Sequence, residues 1–235
     1  SQILPPARIS VVSLGSVLTG SMPIILMTVL AATISWRAHG MDWSIAGFAL
    51  LPYLLTSLTN SVWLGACLGI AVAFLLGLLN GALIHFLRLP SVLVTITGGI
   101  LLTGLANLSV QGMTVPISDS NYLNMFSRTP AIVTSLLICA AVWIVILLSR
   151  LGKPFEKREN DAKRGISLFF AYGISAVLGA LSGVFLSARL MCFSPAASAS
   201  TDVLLILTWA LLLTSNLFDN RVGSLIGAIL ALILY

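Results

Sequence analysis

Long runs of residues without a single charge occupy most of this chain: 9–36, 43–87, 89–118, 129–149, 165–188, 203–218 and 222–235. A helix needs about 20 apolar residues to cross the hydrocarbon of a bilayer, and most of these runs reach that length. In lipid the backbone must satisfy its own polar groups, so such runs cross as α-helices. With 58% hydrophobic and 8% charged residues, the chain also lacks the charge to coat a soluble domain. The expected fold is an all-α polytopic membrane protein, with residues 1–235 forming one transmembrane domain.

The run 43–87 is long enough for two helices. Its natural turn is Thr56-Ser57-Leu58-Thr59-Asn60-Ser61, whose side chains offer the backbone hydrogen bonds that compete with helix. The expected spans are then 12–36, 43–57, 62–86, 91–112, 130–149, 166–188, 202–217 and 222–235, about eight in all.

Charge orients them. Six of the twelve Lys and Arg residues fall between Arg150 and Arg164, and the positive-inside bias holds such a loop in the cytoplasm. Alternation places Arg37, Arg88 and Arg221 on the same side and Arg8, Arg128 and Arg189 on the other, nine against three. The basic balance therefore reads as orientation, and no basic stripe interleaved with aromatics suggests nucleic-acid binding. The same parity puts Ser1 outside, and the final run is short for a span. The intact protein is expected to carry at least one more helix at each end, about ten altogether. No secretory signal peptide is apparent at the start of the chain.

Few residues invite chemistry. Cys67, Cys139 and Cys192 make no CxxC pair and read as packing residues, and His39 and His85 stand alone beside helix ends. No metal site, Ser/His/Asp set, HExxH or GxxxxGK[ST] phosphate loop can be assembled, so the chain is expected to be non-catalytic. Any ATP-driven process would need its ATPase from another polypeptide. Four GxxxG pairs, Gly65/Gly69, Gly77/Gly81, Gly179/Gly183 and Gly223/Gly227, predict close helix packing within the chain, with a dimer seam as the alternative.

Polar residues at membrane depth say more. Asp42, just after Gly40 and Met41, can cap a helix starting at about Ser44, and direct solute contact is the alternative. Asn80, inside Gly77-Leu-Leu-Asn-Gly81, suits an interhelical hydrogen bond. Thr95, Thr97, Thr103, Asn107 and Gln111 follow one another along one expected helix, partly at helical spacing. They either line a water-filled path or bond back to their own helix.

These motifs resemble a known family. Gly77-Leu-Leu-Asn-Gly-Ala-Leu-Ile-His-Phe-Leu-Arg-Leu-Pro90 with Ser91-Val-Leu-Val-Thr-Ile-Thr97 is similar to the "GLLNG…LRLPPFIVTLGT" signature of permease subunits in ribose-type bacterial ABC importers. That family includes permeases for sugars, autoinducer-2, nucleosides and riboflavin. Gly40-Met-Asp-Trp-Ser44 resembles its "GIDLS", and Glu159-Asn-Asp-Ala-Lys-Arg-Gly-Ile166 its "GN-x-EAAR-x-SGI" loop. The resemblance covers nearly the whole chain. Departures mark a divergent member: Ser91 stands where a second proline is usual, and His39 replaces a glycine. Asn216-Leu-Phe-Asp-Asn-Arg-Val-Gly-Ser224 replaces "SLFGGRGS".

The resemblance implies the architecture of the vitamin B12-type importers, in the bacterial cytoplasmic (inner) membrane. It implies a cytoplasmic coupling loop at about 150–165, with Glu156, Lys157, Arg158, Glu159, Asn160, Asp161, Ala162, Lys163, Arg164 and Gly165 meeting an ABC ATPase. ATP and Mg would be held by that ATPase, with no cofactor in this chain. A second permease chain, a heterodimeric partner in view of the divergence, would share the solute path, and an extracytoplasmic solute-binding protein would deliver a sugar, nucleoside or vitamin such as riboflavin. Thr95, Thr97, Thr103, Asn107 and Gln111 are the candidate path residues, and Asp42, Ser44 and Asn80 are structural or path residues. The competing readings are an ion-coupled secondary transporter, which would need ionisable residues at mid-membrane, and a non-transporting membrane scaffold.

Overall fold

In the computed structural model of the protein, residues 11–38, 40–109, 111, 113–126, 128–148 and 161–194 are described; the side chains at 11–20, 37, 128, 143–148 and 161–167 fall outside that description. In order come α1 (Val11–Arg37), α2 (Ile45–Phe48), α3 (Leu51–Thr59), α4 (Val62–Phe86), α5 (Ser91–Ser109), β1 (Val115–Pro116), α6 (Ser120–Phe126), α7 (Arg128–Leu148), α8 (Asp161–Leu190) and β2 (Cys192–Phe193). The chain is mostly helical. Among the described residues three helices are long and apolar enough to cross a membrane: α4, α5 and Leu168–Leu190 of α8, with mean hydropathies of 2.5, 1.7 and 1.9. Together α6 and α7 make a fourth, bent candidate. The expected spans at 202–217 and 222–235 lie outside the described residues.

The expected helix over 43–57 is broken in two. Ala49 and Leu50 form a turn between α2 and α3, and Pro52 follows at once. Proline has no N–H to give the carbonyl four residues back, so the helix cannot run unbroken through Phe48, and restarting with Pro in its first turn resolves the conflict. The expected turn at 56–61 shrinks to Asn60 and Ser61. Ser57 and Thr59 give their hydroxyls to Leu54 O at 2.6 Å and Leu55 O at 2.7 Å, so they bond back to the helix without ending it. Asn60 supplies the left-handed C-cap at φ 54°, and Ser61 then caps α4. The span expected over 91–112 stops at Ser109, and Gln111 sits beyond it at φ 51°.

Three glycine pairs are seams inside the chain. A Cβ on Gly69 would lie 2.7 Å from the Pro52 backbone, whereas one on Gly77 would lie 2.5 Å from Tyr172 O and 2.7 Å from Ala176 Cβ. One edge of α4 therefore lies against α3 through Gly65 and Gly69, and another against α8 through Gly77 and Gly81. Gly179 and Gly183 bring α8 onto the backbone of Ile45 and Ala49. Gly223 and Gly227 lie outside the described residues. Because the obstacle at Gly77 is mostly backbone, Gly77→Leu is expected to cost about 1–3 kcal/mol or more through overpacking. A detergent melt that left the midpoint unchanged would contradict this seam.

Beyond α5 the chain folds back over the helix ends. Asp119 accepts from the Asn121 and Tyr122 amides at 2.9 and 3.2 Å to start α6, and from Trp63 Nε1 at 2.8 Å to fix that turn to α4. Tyr53 donates to Met113 O at 2.7 Å. The strands pair antiparallel, Val115 with Phe193 and Pro116 with Cys192, and Ile117 N bonds Met191 O at 3.0 Å. Ile117 and Met191 thus form a hydrogen-bonded pair, so alternation makes Pro116 and Cys192 the closer, non-hydrogen-bonded pair. That explains why proline is tolerated at 116. It also predicts that Pro116→Cys, in a Cys67→Ala and Cys139→Ala background, forms a disulfide with Cys192 under mild oxidation, seen as a loss of two free thiols.

Candidate functional site

Three helices, α4, α5 and α8, converge on the non-helical link between α1 and α2. Gly40 permits a close approach there, because a Cβ would collide with the Tyr172 hydroxyl and lie 3.0 Å from Ser91 Cβ unless those side chains shifted. Two residues on, Asp42 is fully buried. Its Oδ1 accepts from the Ser44 amide at 3.0 Å and from the Ser44 hydroxyl, and its Oδ2 accepts from the Ser175 hydroxyl of α8 at 2.6 Å. A buried carboxylate is tolerable only with such donors, since it has given up water for them.

The same link is held from two more helices. Asn80 of α4 donates through Nδ2 to Ser44 Oγ at 3.3 Å. Thr95 of α5 accepts from Trp43 N at 3.1 Å, while its hydroxyl points to Met41 O at 3.1 Å and Ser91 O at 2.9 Å. Residues 40–44, Asn80 and Thr95, far apart in sequence, meet in one close-packed polar node. Its chemistry is mechanical. Four segments are joined by hydrogen bonds, and among the described residues no group of three or more His, Cys, Asp or Glu gathers to hold a metal.

The five residues expected along α5 divide. Thr95 is buried in the node, Thr97 and Asn107 are exposed, Thr103 is half-buried, and Gln111 is exposed beyond the helix. Thr97 and Thr103 bond back to Leu93 O and Gly99 O at 2.8 and 2.9 Å, and Asn107 donates to Thr103 O at 3.0 Å. Glu156, Lys157, Arg158, Glu159 and Asn160 lie outside the described residues. Asp161, Ala162, Lys163, Arg164 and Gly165 form the start of α8, with side chains outside the description. Of the cysteines, Cys67 is exposed and Cys139 and Cys192 are half-buried, all free. His85 sets its ring edge-on to Phe86 and Phe169, and His39 lies outside the described residues.

Ser175 was not singled out by sequence reading, although it carries the longest-range bond of the node. Its signal was spacing: Ser175, Gly179, Gly183 and Ser187 recur every four residues, one small residue per turn.

Comparison with known proteins agrees with this assembly of motifs. The probable ABC transporter permease protein y4mJ of Sinorhizobium fredii is 24% identical over 242 residues, covering 96% of this chain and 72% of that protein. This chain resembles an ABC transporter permease. The fructose import permease protein FruF of Bifidobacterium longum is 26% identical over 189 residues, 71% of this chain, and the match spans 52% of its own length. No protein-family profile matches the chain, and no solved structure does. With identities this low the likeness is to a divergent sugar-type permease, a multi-pass membrane protein.

Proposed function

We infer that this chain is the membrane-spanning permease subunit of an ATP-driven importer in the bacterial inner membrane. The observation that carries the reading is the y4mJ alignment over 96% of the chain. The joining of Asp42, Ser44, Asn80 and Thr95 in one node gives the similar motifs a shared structural purpose. The cargo is a small hydrophilic solute, a sugar, a nucleoside or a vitamin such as riboflavin, and a sugar is favoured by the name of the fructose permease. A second, different permease chain completes the path, and a solute-binding protein delivers to its outer mouth. In the intact protein about ten helices take the vitamin B12-importer arrangement. ATP and Mg belong to a separate ATPase docked on residues 156–165.

The chain itself then does no chemistry. Its work is to carry motion from the docked end of α8 into the packed node. Purifying the tagged chain from its native membranes under mild detergent is expected to bring down an ABC ATPase in stoichiometric amount, identified by mass spectrometry. Recovery of the chain alone, or with no nucleotide-hydrolysing partner, would favour a secondary transporter or a scaffold.

A further inference from the structure

We propose that the turn between α4 and α5 binds the phosphate of an anionic phospholipid in the cytoplasmic leaflet, with Arg88 as its ligand. The inference goes beyond the permease reading and needs only that the chain spans a bilayer.

Leu64, Leu68, Leu75, Leu79 and Phe86 of α4 are all exposed. They follow one another at steps of four, seven, four and seven residues, each close to a whole number of turns, so they form one apolar stripe. At 1.5 Å per residue the stripe is about 33 Å long, against roughly 30 Å of hydrocarbon in a bilayer. Acyl chains are therefore the cover that fits its length and its chemistry. At one end of the stripe Trp63 donates to Asp119. At the other the rings of His85, Phe86 and Phe169 lie against one another with centroids 5.2 to 5.8 Å apart. Aromatic rings collect at both ends of a span, where lipid meets water.

Arg88 stands just past the Phe86 end. A Cβ on Gly81 would lie 2.8 Å from Phe169 Cα, so this end of α4 is beside the first half of α8, the helix that follows the basic segment in the chain. Helix packing and the positive-inside bias thus agree in putting Arg88 on the cytoplasmic side. Its side chain is exposed and bonds no acceptor among the described residues. Asp42 is engaged by Ser44 and Ser175, and Asp119 lies at the opposite end with Trp63.

The backbone of Arg88 is a second, independent observation. Directly after the C-cap Leu87 it takes φ 53°, the left-handed position that ends many helices and that glycine fills without strain. An arginine there keeps the strain, which points to a task for its side chain. A guanidinium pairs its N–H donors with phosphate oxygens, and the exposed Leu87 and Leu89 on either side suit the boundary at which lipid phosphate meets hydrocarbon. The anionic cytoplasmic leaflet supplies the complementary charge.

The test offers the full chain, purified in neutral detergent, equal amounts of phosphatidylglycerol and phosphatidylcholine. Native mass spectrometry counts the bound lipid, and melting midpoints are taken with and without it. The native chain is expected to retain phosphatidylglycerol severalfold over phosphatidylcholine and to melt higher in its presence. Arg88→Gly removes the guanidinium and relieves the backbone, so it is expected to melt no lower than native without lipid, while its preference falls to parity. Arg88→Lys, which keeps the charge without the fork of donors, should retain part of the preference. A native chain without preference would overturn the site. So would a preference that survives Arg88→Gly, and a lower lipid-free midpoint in that case would make Arg88 a cap of α4. Preference lost only on reversing Arg158, Lys163 and Arg164 would move the lipid to the basic segment. If Arg88→Gly kept its lipid but no longer brought down an ATPase, the turn would be a protein contact instead. A chain that binds lipid as expected but recovers no ATPase keeps the site and loses the permease reading.

Discussion

Replacing Asp42 by alanine is expected to cost the chain about 2–4 kcal/mol of stability, because it leaves buried donors without an acceptor. Three groups lose their partner: the Ser44 amide, the Ser44 hydroxyl and the Ser175 hydroxyl. They are not equivalent. A serine hydroxyl in a helix can turn to a carbonyl of its own preceding turn, as Ser182 and Ser187 already do, so Ser175 has an escape. The Ser44 amide has none, and the Ser44 hydroxyl must also keep its contact with Asn80. Removing the carboxylate does relieve the cost of burying a charge. The orphaned amide and the void left in a fully buried site are expected to outweigh that gain.

Asp42→Asn separates the two effects. Its amide oxygen can still accept from Ser44, and its NH2 can donate to Ser175 Oγ, with that hydroxyl turned back along α8. The asparagine variant is therefore expected to melt close to the native protein in detergent, and the alanine variant well below it. Equal midpoints for native and alanine proteins would mean that the carboxylate only offsets its own burial. The hold on the link would then rest with Gly40 and Thr95.

These residues also show what a sequence reveals of such a fold. The helices were legible because lipid imposes one rule on every span, and α4 runs from Val62 to Phe86, as its charge-free run predicts. The turn at Asn60 and Ser61 was marked by the polar run that begins at Thr56, whereas the break at Ala49 and Leu50, signalled only by Pro52, lay inside a span expected to be continuous. Asp42 and Asn80 stood out by being polar in apolar surroundings. Thr95 did not separate from Thr97, because side-chain type carries no helix phase; only contact with Met41 and Trp43 distinguishes them. Ser175 was hidden among the many small residues of α8. Two-residue strands such as β1 and β2 leave no period to read, and they exist only because distant helix ends bring them together.

Reversing charge at Arg158, Lys163 and Arg164 is expected to uncouple the proposed importer: solute uptake collapses while the ATPase still hydrolyses ATP. Lys163 and Arg164 lie in the first turn of α8, the helix that carries Ser175 to Asp42, and Arg158 precedes it outside the described residues. With Glu at all three, a surface complementary to the native basic segment would meet like charge, at a cost of several kcal/mol. Each 1.4 kcal/mol is a factor of ten in binding, so docking should weaken by more than about tenfold. Topology should survive, since Arg37, Arg88, Arg150, Lys153, Lys157 and Arg221 still outnumber Arg8, Arg128 and Arg189 across the membrane, and acidic residues contribute little to orientation. Proteoliposomes holding the purified complex allow uptake and ATP hydrolysis to be followed together, with protease protection of the loop reporting orientation. Uptake at the native rate by correctly oriented triple mutant would remove residues 156–165 from the coupling surface. The push on α8 would then have to enter elsewhere, and the basic segment would be left with orientation as its sole task.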